Sequence, residues 1–126
     1  MPSSKITTNF TLENESDFID VFHKILLNVL QIPEYDRLVI LDQKNTGFYQ
    51  PTNTSGRYIL YEIDMFPGRK IETKRTLYKE LVSLSTQFDV EASNVRIILK
   101  VIEKENWGIR GGQPASEVDL GFKTEI

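Results

Sequence analysis

The order of apolar patterns along this chain constrains its fold more than any other feature. A strand-like segment, an amphipathic helix-like segment and a second strand-like segment follow one another, and the same order then occurs again. The predicted strands cover residues 5–10, 37–42, 58–65 and 95–103, and the helices lie between Asn14 and Pro33 and over residues 70–88. This order predicts an α/β (α+β) domain in which two helices cover one face of a four-stranded sheet.

The first helix is predicted from spacing and from its two ends. Apolar side chains recur at intervals of three and four residues between Phe18 and Leu30, which is typical of a helix with one buried face. Asn14 precedes them as an N-cap with Asp17 three residues on, and Pro33 ends the helix.

Two architectures fit this order of elements. In the ferredoxin-like arrangement another strand separates each pair of parallel strands, whereas in tandem right-handed βαβ units the parallel strands are neighbours. Periodicity does not distinguish them. The two halves also align with an offset of 58 residues, so that Ile19 and Leu26 match Leu77 and Leu84, which we interpret as an internal duplication. We therefore predict one domain over residues 1–126, with pseudo-repeats at about 2–44 and 58–103 and a C-terminal extension over 104–126.

The sheet face without helices is predicted to be partly apolar. The second strand is apolar on both faces, and the fourth places Ile98 and Ile102 beside Arg96 and Lys100. Because a monomer would leave this face in water, the pattern favours an oligomer. The last twenty residues contain four glycines and are predicted to form turns and short strands rather than a helix.

Composition excludes several kinds of site. The chain has no cysteine and one histidine, His23, so a disulfide framework, a thiolate nucleophile, a Cys-based metal site and a cluster of His ligands are excluded. We interpret His23 as a partly buried structural residue, and we predict no metal. A net charge of −3 argues against a nucleic-acid partner. No segment is typical of a signal or a membrane span, so we expect a cytoplasmic protein without a membrane partner.

Pro2 is a candidate proton carrier. If Met1 is removed, Pro2 becomes an N-terminal proline, whose nitrogen is a secondary amine on a rigid ring. An α-amino group titrates near pH 8, and burial or a neighbouring cation lowers that value, so the amine can act as a general base or acid without any histidine. Inert Met-Pro starts are also common.

Arg69 and Asp36 are further candidates. Arg69 follows Pro67-Gly68 where the second helix begins, and a guanidinium beside the free N–H groups of a helix start can bind a carboxylate. A solvated surface arginine is the alternative. Asp36 lies between Pro33 and the second strand, where it could activate water or hold a proton, or else pair with Arg37 in a turn.

The glycine-rich segment near the C-terminus contributes Trp107 and Arg110. An aromatic ring among glycines suggests a pocket wall or a subunit contact more than a core position. Arg110 is a second candidate for binding an anion. The pair Gly111-Gly112 is not a phosphate loop, because no glycine-rich nucleotide motif stands between a strand and a helix.

These segments together resemble the tautomerase superfamily, and within it the malonate semialdehyde decarboxylase-like group. The matching pieces cover nearly the whole chain: Met1-Pro2 leading into a strand, residues 32–37 (IPEYDR), Pro67-Gly68-Arg69 with Lys74 following, and residues 105–112 (ENWGIRGG) and 115–122 (ASEVDLGF).

The resemblance implies a fold, an assembly and a chemistry. It implies duplicated βαβ units with neighbouring parallel strands, a homotrimer whose sheets enclose a central barrel, and catalysis by the N-terminal proline without a cofactor. Carried over by position, Pro2 matches the catalytic amine, Asp36 the acid that positions or activates water, and Arg69 the arginine that binds a small carboxylate substrate. Trp107 falls near the aromatic pocket wall.

The sequence departs from the decarboxylase pattern at two places. The decarboxylase carries a second arginine shortly before the one matched by Arg69, and here Phe66 occupies that region. Ser3 and Ser4 follow the proline where the family commonly has an apolar residue. The leading hypothesis is therefore a tautomerase that interconverts the enol and keto forms of a small 2-oxo acid. The alternatives are a hydratase or decarboxylase of a 3-oxo acid, a non-catalytic trimer that kept the fold, and, most remotely, a ferredoxin-like RNA binder.

Overall fold

A computed structural model describes residues 2–126 of the chain. Its main elements follow the predicted order and are β1 (Ser3–Thr8), α1 (Glu15–Leu30), β2 (Leu38–Gln43), β3 (Ile59–Met65), α2 (Ile71–Gln87) and β4 (Val95–Val101). The C-terminal extension adds a small hairpin of β5 (Gly108–Ile109) and β6 (Gln113–Pro114), together with single 3₁₀ turns. The prediction of turns and short strands in this extension is confirmed.

The strand order of the sheet is β2-β1-β3-β4, which decides between the two architectures. β1 pairs in parallel with β2 and β3 pairs in parallel with β4, while β1 and β3 run antiparallel at the centre. The parallel strands are therefore neighbours, as in tandem βαβ units, and the ferredoxin-like alternative is wrong. The duplication itself stays a prediction.

One face of the sheet and the two helices enclose the main core. Ile59, Tyr61, Ile63 and Met65 alternate along β3 toward the helices and are buried. Phe18 and Phe22 of α1 stack on the Tyr61 ring at centroid distances of 6.5 and 5.7 Å. The Tyr61 hydroxyl lies 2.7 Å from the Ser85 hydroxyl of α2, and burial raises the pKa of Tyr61 well above its ordinary value. Tyr61 on β3 thus contacts both helices.

Several predicted boundaries move by one or two residues. β1 begins and ends two residues earlier than predicted. The strand ends before Asn9, whose side chain accepts a hydrogen bond from the Tyr58 N–H at 2.7 Å. Asn14 holds the N-cap position of α1 without a side-chain hydrogen bond to the helix. Ile71 at the start of α2 is 52% exposed, and the buried residues of this helix begin only at Leu77.

The opposite face of the sheet combines apolar and charged side chains, as predicted. Leu38 and Ile40 on β2 and Ile98 on β4 are exposed, and Lys100 pairs with Glu62 at 2.9 Å. We call this surface the open face. Neither helix in the described part of the chain is long and apolar enough to cross a bilayer.

Candidate active site

Pro2 lies where four strand ends meet. It directly precedes Ser3, whose register partners are Leu38 near the start of β2 and Asp64 near the end of β3. β4 ends at the same side, because Val101 pairs with Met65. We call this the Pro2 end of the sheet. Pro2 itself is buried, and Met1, whose removal would free the Pro2 amine, lies outside the described residues.

Arg69 reaches the same end from the turn that follows β3. Its side chain is buried, with 7% of the residue exposed, which rejects the solvated-surface interpretation. Its Nη2 donates to the Leu30 carbonyl, the last of α1, at 2.9 Å. Within residues 2–126 its buried Nε–H has no hydrogen-bond acceptor. Burial lowers the pKa of the guanidinium, because desolvation disfavours the charged form. An anion beside Nε would offset that cost.

Asp36 is held by the loop that joins α1 to β2. Gln31 adopts a left-handed conformation (φ 54°) and ends the helix, and the Asp36 N–H donates to the Pro33 carbonyl at 3.0 Å. Asp36 is half-buried. The neighbouring Arg37 forms an ion pair with Asp20 on α1 at 3.0 Å.

His23 supports this loop, in line with its predicted structural role. The residue is buried, and its Nε2 lies 2.7 Å from the Glu34 carbonyl, close enough for a hydrogen bond between α1 and the loop. Through that contact the middle of α1 fixes the segment that carries Asp36. The sequence gives no local signal for this pair, because eleven residues separate the partners.

Trp107 lies against the Pro2 end of the sheet. The sequence suggested a pocket wall or a subunit contact, whereas here the ring packs on a small core within the subunit. Its ring is 5.0 Å from the Phe66 ring in an edge-to-face arrangement, and its Nε1–H donates to the Ile102 carbonyl at 3.1 Å. Phe66, in the region of the second arginine of the decarboxylase, is fully buried in a small second core with Ala115 and Leu120. The Lys104 ammonium lies 5.9 Å from the Phe66 ring centre, a nearby cation that the sequence reasoning missed.

Arg110 is directed to the C-terminal extension. It is exposed, occupies a left-handed conformation in the β5–β6 turn (φ 51°), and donates from Nη1 to the Asp119 carbonyl at 2.8 Å. Its contacts therefore place it with the extension rather than with Arg69. Its role in binding substrate stays a prediction.

The C-terminal tail, residues 122–126, packs on the turn that carries Arg69. Gly68 has φ of +121°, and a Cβ there would lie 2.7 Å from the Thr124 carbonyl oxygen. The Thr73 hydroxyl of α2 donates to the Ile126 carbonyl, and the Phe122 ring stacks on Phe66 at 6.5 Å. Sequence reasoning missed this contact, although the glycine in Pro67-Gly68-Arg69 was a signal for close backbone approach.

This geometry joins a buried proline, a half-buried carboxylate and a buried cation at one end of a sheet. Such a set can hold a small carboxylate at the guanidinium while a neighbouring amine moves a proton. Within residues 2–126 there is no group of three or more His, Asp or Glu side chains that could hold a metal ion.

The family of this chain follows from a match to the tautomerase enzymes over residues 32–110. That span is more than half of the sequence and includes Asp36, Arg69 and Trp107. The chain belongs to the tautomerase family.

Solved structures confirm the fold. The W0 fused 4-OT, a wild-type symmetric trimer, matches with a TM-score of 0.81 at 16% identity, over 91% of this chain and 98% of that one. Pt0534 inactivated by 2-oxo-3-pentynoate matches with a TM-score of 0.78 at 20% identity, over 91% and 95%. FG41 malonate semialdehyde decarboxylase inhibited by 3-bromopropiolate matches with a TM-score of 0.68 at 22% identity, over 89% and 92%. At these identities the likeness concerns the fold alone.

Proposed function

We propose that this protein is a cofactor-independent tautomerase that interconverts the enol and keto forms of a small 2-oxo acid, with the Pro2 nitrogen as the proton carrier. Family membership supports the reaction class. The observation that carries the proposal is the buried Arg69 guanidinium at the Pro2 end, whose Nε–H has no acceptor among the described residues. A similar structure was inactivated by 2-oxo-3-pentynoate, itself a small 2-oxo acid.

The proposed step moves one proton and changes no oxidation state. The neutral Pro2 amine takes the proton of the enol hydroxyl, and the O–H electron pair becomes the new C=O bond. The former C=C electron pair takes a proton from the resulting ammonium, which makes a C–H bond and regenerates the amine. A base that titrates near neutral pH is suited to both halves of this cycle.

Arg69 is proposed to hold the carboxylate of the substrate. Nη2 donates to the Leu30 carbonyl, and the buried Nε–H, which has no acceptor within residues 2–126, is a donor that an anion could use. A charge-assisted hydrogen bond in a desolvated site is stronger than the same bond in water. The carboxylate would thereby be fixed while the enol carbon faces Pro2.

A second candidate is hydration or decarboxylation of a 3-oxo acid. The half-buried Asp36 in the loop before β2 favours it, because a carboxylate near the amine could activate water while protonated Pro2 acts as the acid. The two reactions need opposite protonation states of Pro2. A pH–rate profile with an enol substrate and one with a 3-oxo acid therefore distinguish them.

The test begins with the intact mass of the protein, which reports whether Met1 has been removed. Ultraviolet assay with phenylenolpyruvate, a generic enol acid, should then give activity for the protein that begins at Pro2. Pro2→Ala keeps a primary amine in the same place and should retain part of the activity with a shifted pH optimum. A variant with an added residue before Pro2 should lose the activity, because its nitrogen becomes an amide whose lone pair is delocalised.

Controls keep these results specific to the amine. Both variants should keep the circular dichroism and the solution mass of the wild type. 2-Oxo-3-pentynoate serves as a probe: the amine adds across its triple bond, so the Pro2 peptide gains the full probe mass. Full activity in the extended variant would show that another group, such as Asp36, carries the proton. No activity in the protein that begins at Pro2 would leave the non-catalytic trimer as the better reading.

A further inference from the structure

Arg69, the residue proposed to hold the substrate, is closed off in this structure. Only 7% of the residue is exposed, and its Nε–H is buried without an acceptor within residues 2–126. A buried donor without an acceptor is costly, and the same burial keeps a carboxylate in solvent away from it. A segment near Arg69 must therefore move before the carboxylate of the substrate can bind there.

Two segments contact the surroundings of Arg69, and they differ in how they are held. α1 accepts the Nη2 hydrogen bond at Leu30, and its buried side chains belong to the main core. The C-terminal tail has no helix or strand. Phe122 anchors it by stacking on Phe66, and residues 124–126, which we call the tail end, follow that anchor. The tail end can therefore leave its place without opening the main core.

The tail end places hydrogen-bond acceptors on both sides of Arg69 along the chain. The Thr124 carbonyl oxygen lies 2.7 Å from the position of a Cβ on Gly68, the residue before Arg69. The Ile126 carbonyl accepts from the Thr73 hydroxyl in the first turn of α2. The tail end thus spans the turn that carries Arg69.

The tail end also brings the chemistry of the proposed substrate to this turn. Glu125 lies between the two carbonyls, and its Cγ is 3.1 Å from the same Cβ position on Gly68. Thr124 is only 5% exposed, so the tail end is packed on the turn rather than free in solvent. Carbonyl and carboxylate oxygens are the groups that a guanidinium binds. A segment with these acceptors, packed beside a buried cation, is placed to compete with an anion.

We propose that the tail end is an intramolecular competitor of the substrate: it closes the approach to Arg69, and a small carboxylate binds there only when the tail end leaves the turn. This inference rests on the proposed function, in which Arg69 holds the carboxylate. Docking of the tail end and binding of the carboxylate then oppose each other. Thermodynamic linkage makes that opposition reciprocal, so each weakens the other by the same factor.

Removing the tail end has an effect of definite sign. The apparent affinity of a ligand is reduced by the fraction of protein that is competent to bind it, and a chain that stops at Lys123 has lost the competitor. Phenyllactate, a 2-hydroxy acid that keeps the carboxylate and lacks the ketone, should bind this variant about tenfold more tightly, an ordinary coupling between two sites. The KM for phenylenolpyruvate should fall in the same direction with kcat unchanged, because Pro2 is not altered.

Trypsin tests the reciprocal effect on the wild-type protein. Lys123 is exposed, and cleavage after it releases the tail end, which intact mass detects. Saturating phenyllactate should speed this cleavage, by the same factor that calorimetric titration gives for the tighter binding of the shortened chain. Arg69→Ala is the control for any effect of phenyllactate on trypsin, and it should show no acceleration.

Two threonine variants test the contact in a chain that keeps all of its residues. Thr73→Val removes the donor to the Ile126 carbonyl and should tighten phenyllactate binding, by less than the shortened chain does. Thr76→Val is its matched control, because the Thr76 hydroxyl donates to the Glu72 carbonyl of the same helix at 3.1 Å. Thr76→Val should bind phenyllactate as the wild type does.

Trypsin cleavage that phenyllactate slows or leaves unchanged would overturn the inference, and so would a shortened chain that binds phenyllactate no more tightly than wild type. Absence of binding in both proteins would overturn it together with the carboxylate role of Arg69. Neither measurement requires turnover. Tighter binding and faster cleavage in a protein without tautomerase activity would therefore refute the proposed reaction and support the competition between tail end and carboxylate.

Discussion

Arg69 breaks one electrostatic rule and satisfies another. It stands just before α2, where the helix dipole disfavours a cation. Its guanidinium, however, reaches the C-terminus of α1, where a cation is favourable and the Leu30 carbonyl needs a donor. The residue therefore ties the start of one helix to the end of the other, and any role in binding substrate is added to that structural role.

The two roles of Arg69 predict two separable losses. Arg69→Ala leaves a buried carbonyl without its donor, so we expect about 1–3 kcal/mol less stability in urea unfolding. If the guanidinium also holds a carboxylate, kcat/KM for phenylenolpyruvate should fall by a further amount equivalent to roughly 2–4 kcal/mol. Both quantities are measured on the same preparation, below the unfolding transition.

Arg57 supplies a matched control for this substitution. Its Nη1 donates to the Phe88 carbonyl at the C-terminus of α2, at 3.0 Å, and it precedes β3 at the opposite end of the sheet from Pro2. Arg57→Ala should therefore lower stability in a similar way and leave kcat/KM unchanged. Equal kinetic losses in the two variants would return Arg69 to a purely structural role.

At the scale of elements, the turn between β3 and α2 depends on a glycine. Gly68 combines φ of +121° with the Thr124 carbonyl 2.7 Å from the position of a Cβ. Gly68→Ala should cost roughly 1–3 kcal/mol from backbone strain and should also displace the tail. Gly47→Ala is the control, because Gly47 has φ of +76° with no atom near its Cβ position.

Trypsin can report the position of the tail directly. Lys123 is exposed and lies within the tail, so cleavage after it removes the last three residues, a loss that intact mass detects. Cleavage should be faster in Gly68→Ala than in wild type or Gly47→Ala. Equal rates in all three proteins would mean that the Thr124 contact does not hold the tail.

Local patterns predicted the elements better than they predicted the contacts between them. The alternation in β3 and the spacing in α1 arise from burial on one face, which the sequence records directly. Three contacts join segments that are far apart in the chain. Arg69 donates to the Leu30 carbonyl, His23 contacts the loop that carries Asp36, and the tail packs on Gly68. No local period encodes such pairs, so the sequence could name Pro2, Asp36 and Arg69 as candidates without giving their surroundings. The packing of Trp107 on Phe66 likewise depends on the C-terminal extension, which no local period encodes.

At the scale of the whole molecule, the open face carries apolar side chains that a monomer would leave in water. Leu38 and Ile40 are each 57% exposed on β2, and Ile98 is exposed on β4, among charged side chains that include Lys5 and Lys100. A face of this kind on a small protein is typical of an interface between subunits. The W0 fused 4-OT with the same fold is a symmetric trimer. We propose that three copies of this chain assemble through their open faces.

The trimer predicts a mass three times that of one chain by light scattering at micromolar concentration. Ile40→Lys places a charge in the middle of the open face and should shift the protein toward the monomer, because a charge buried at an interface without a partner is costly. Val21→Lys introduces the same charge at an exposed position of α1, on the opposite layer, and should leave the mass unchanged. Circular dichroism should be the same for both variants, since neither residue belongs to the buried core of the subunit. A wild-type protein that scatters as a monomer, or an Ile40→Lys variant that remains a trimer, would show that the open face is not the interface.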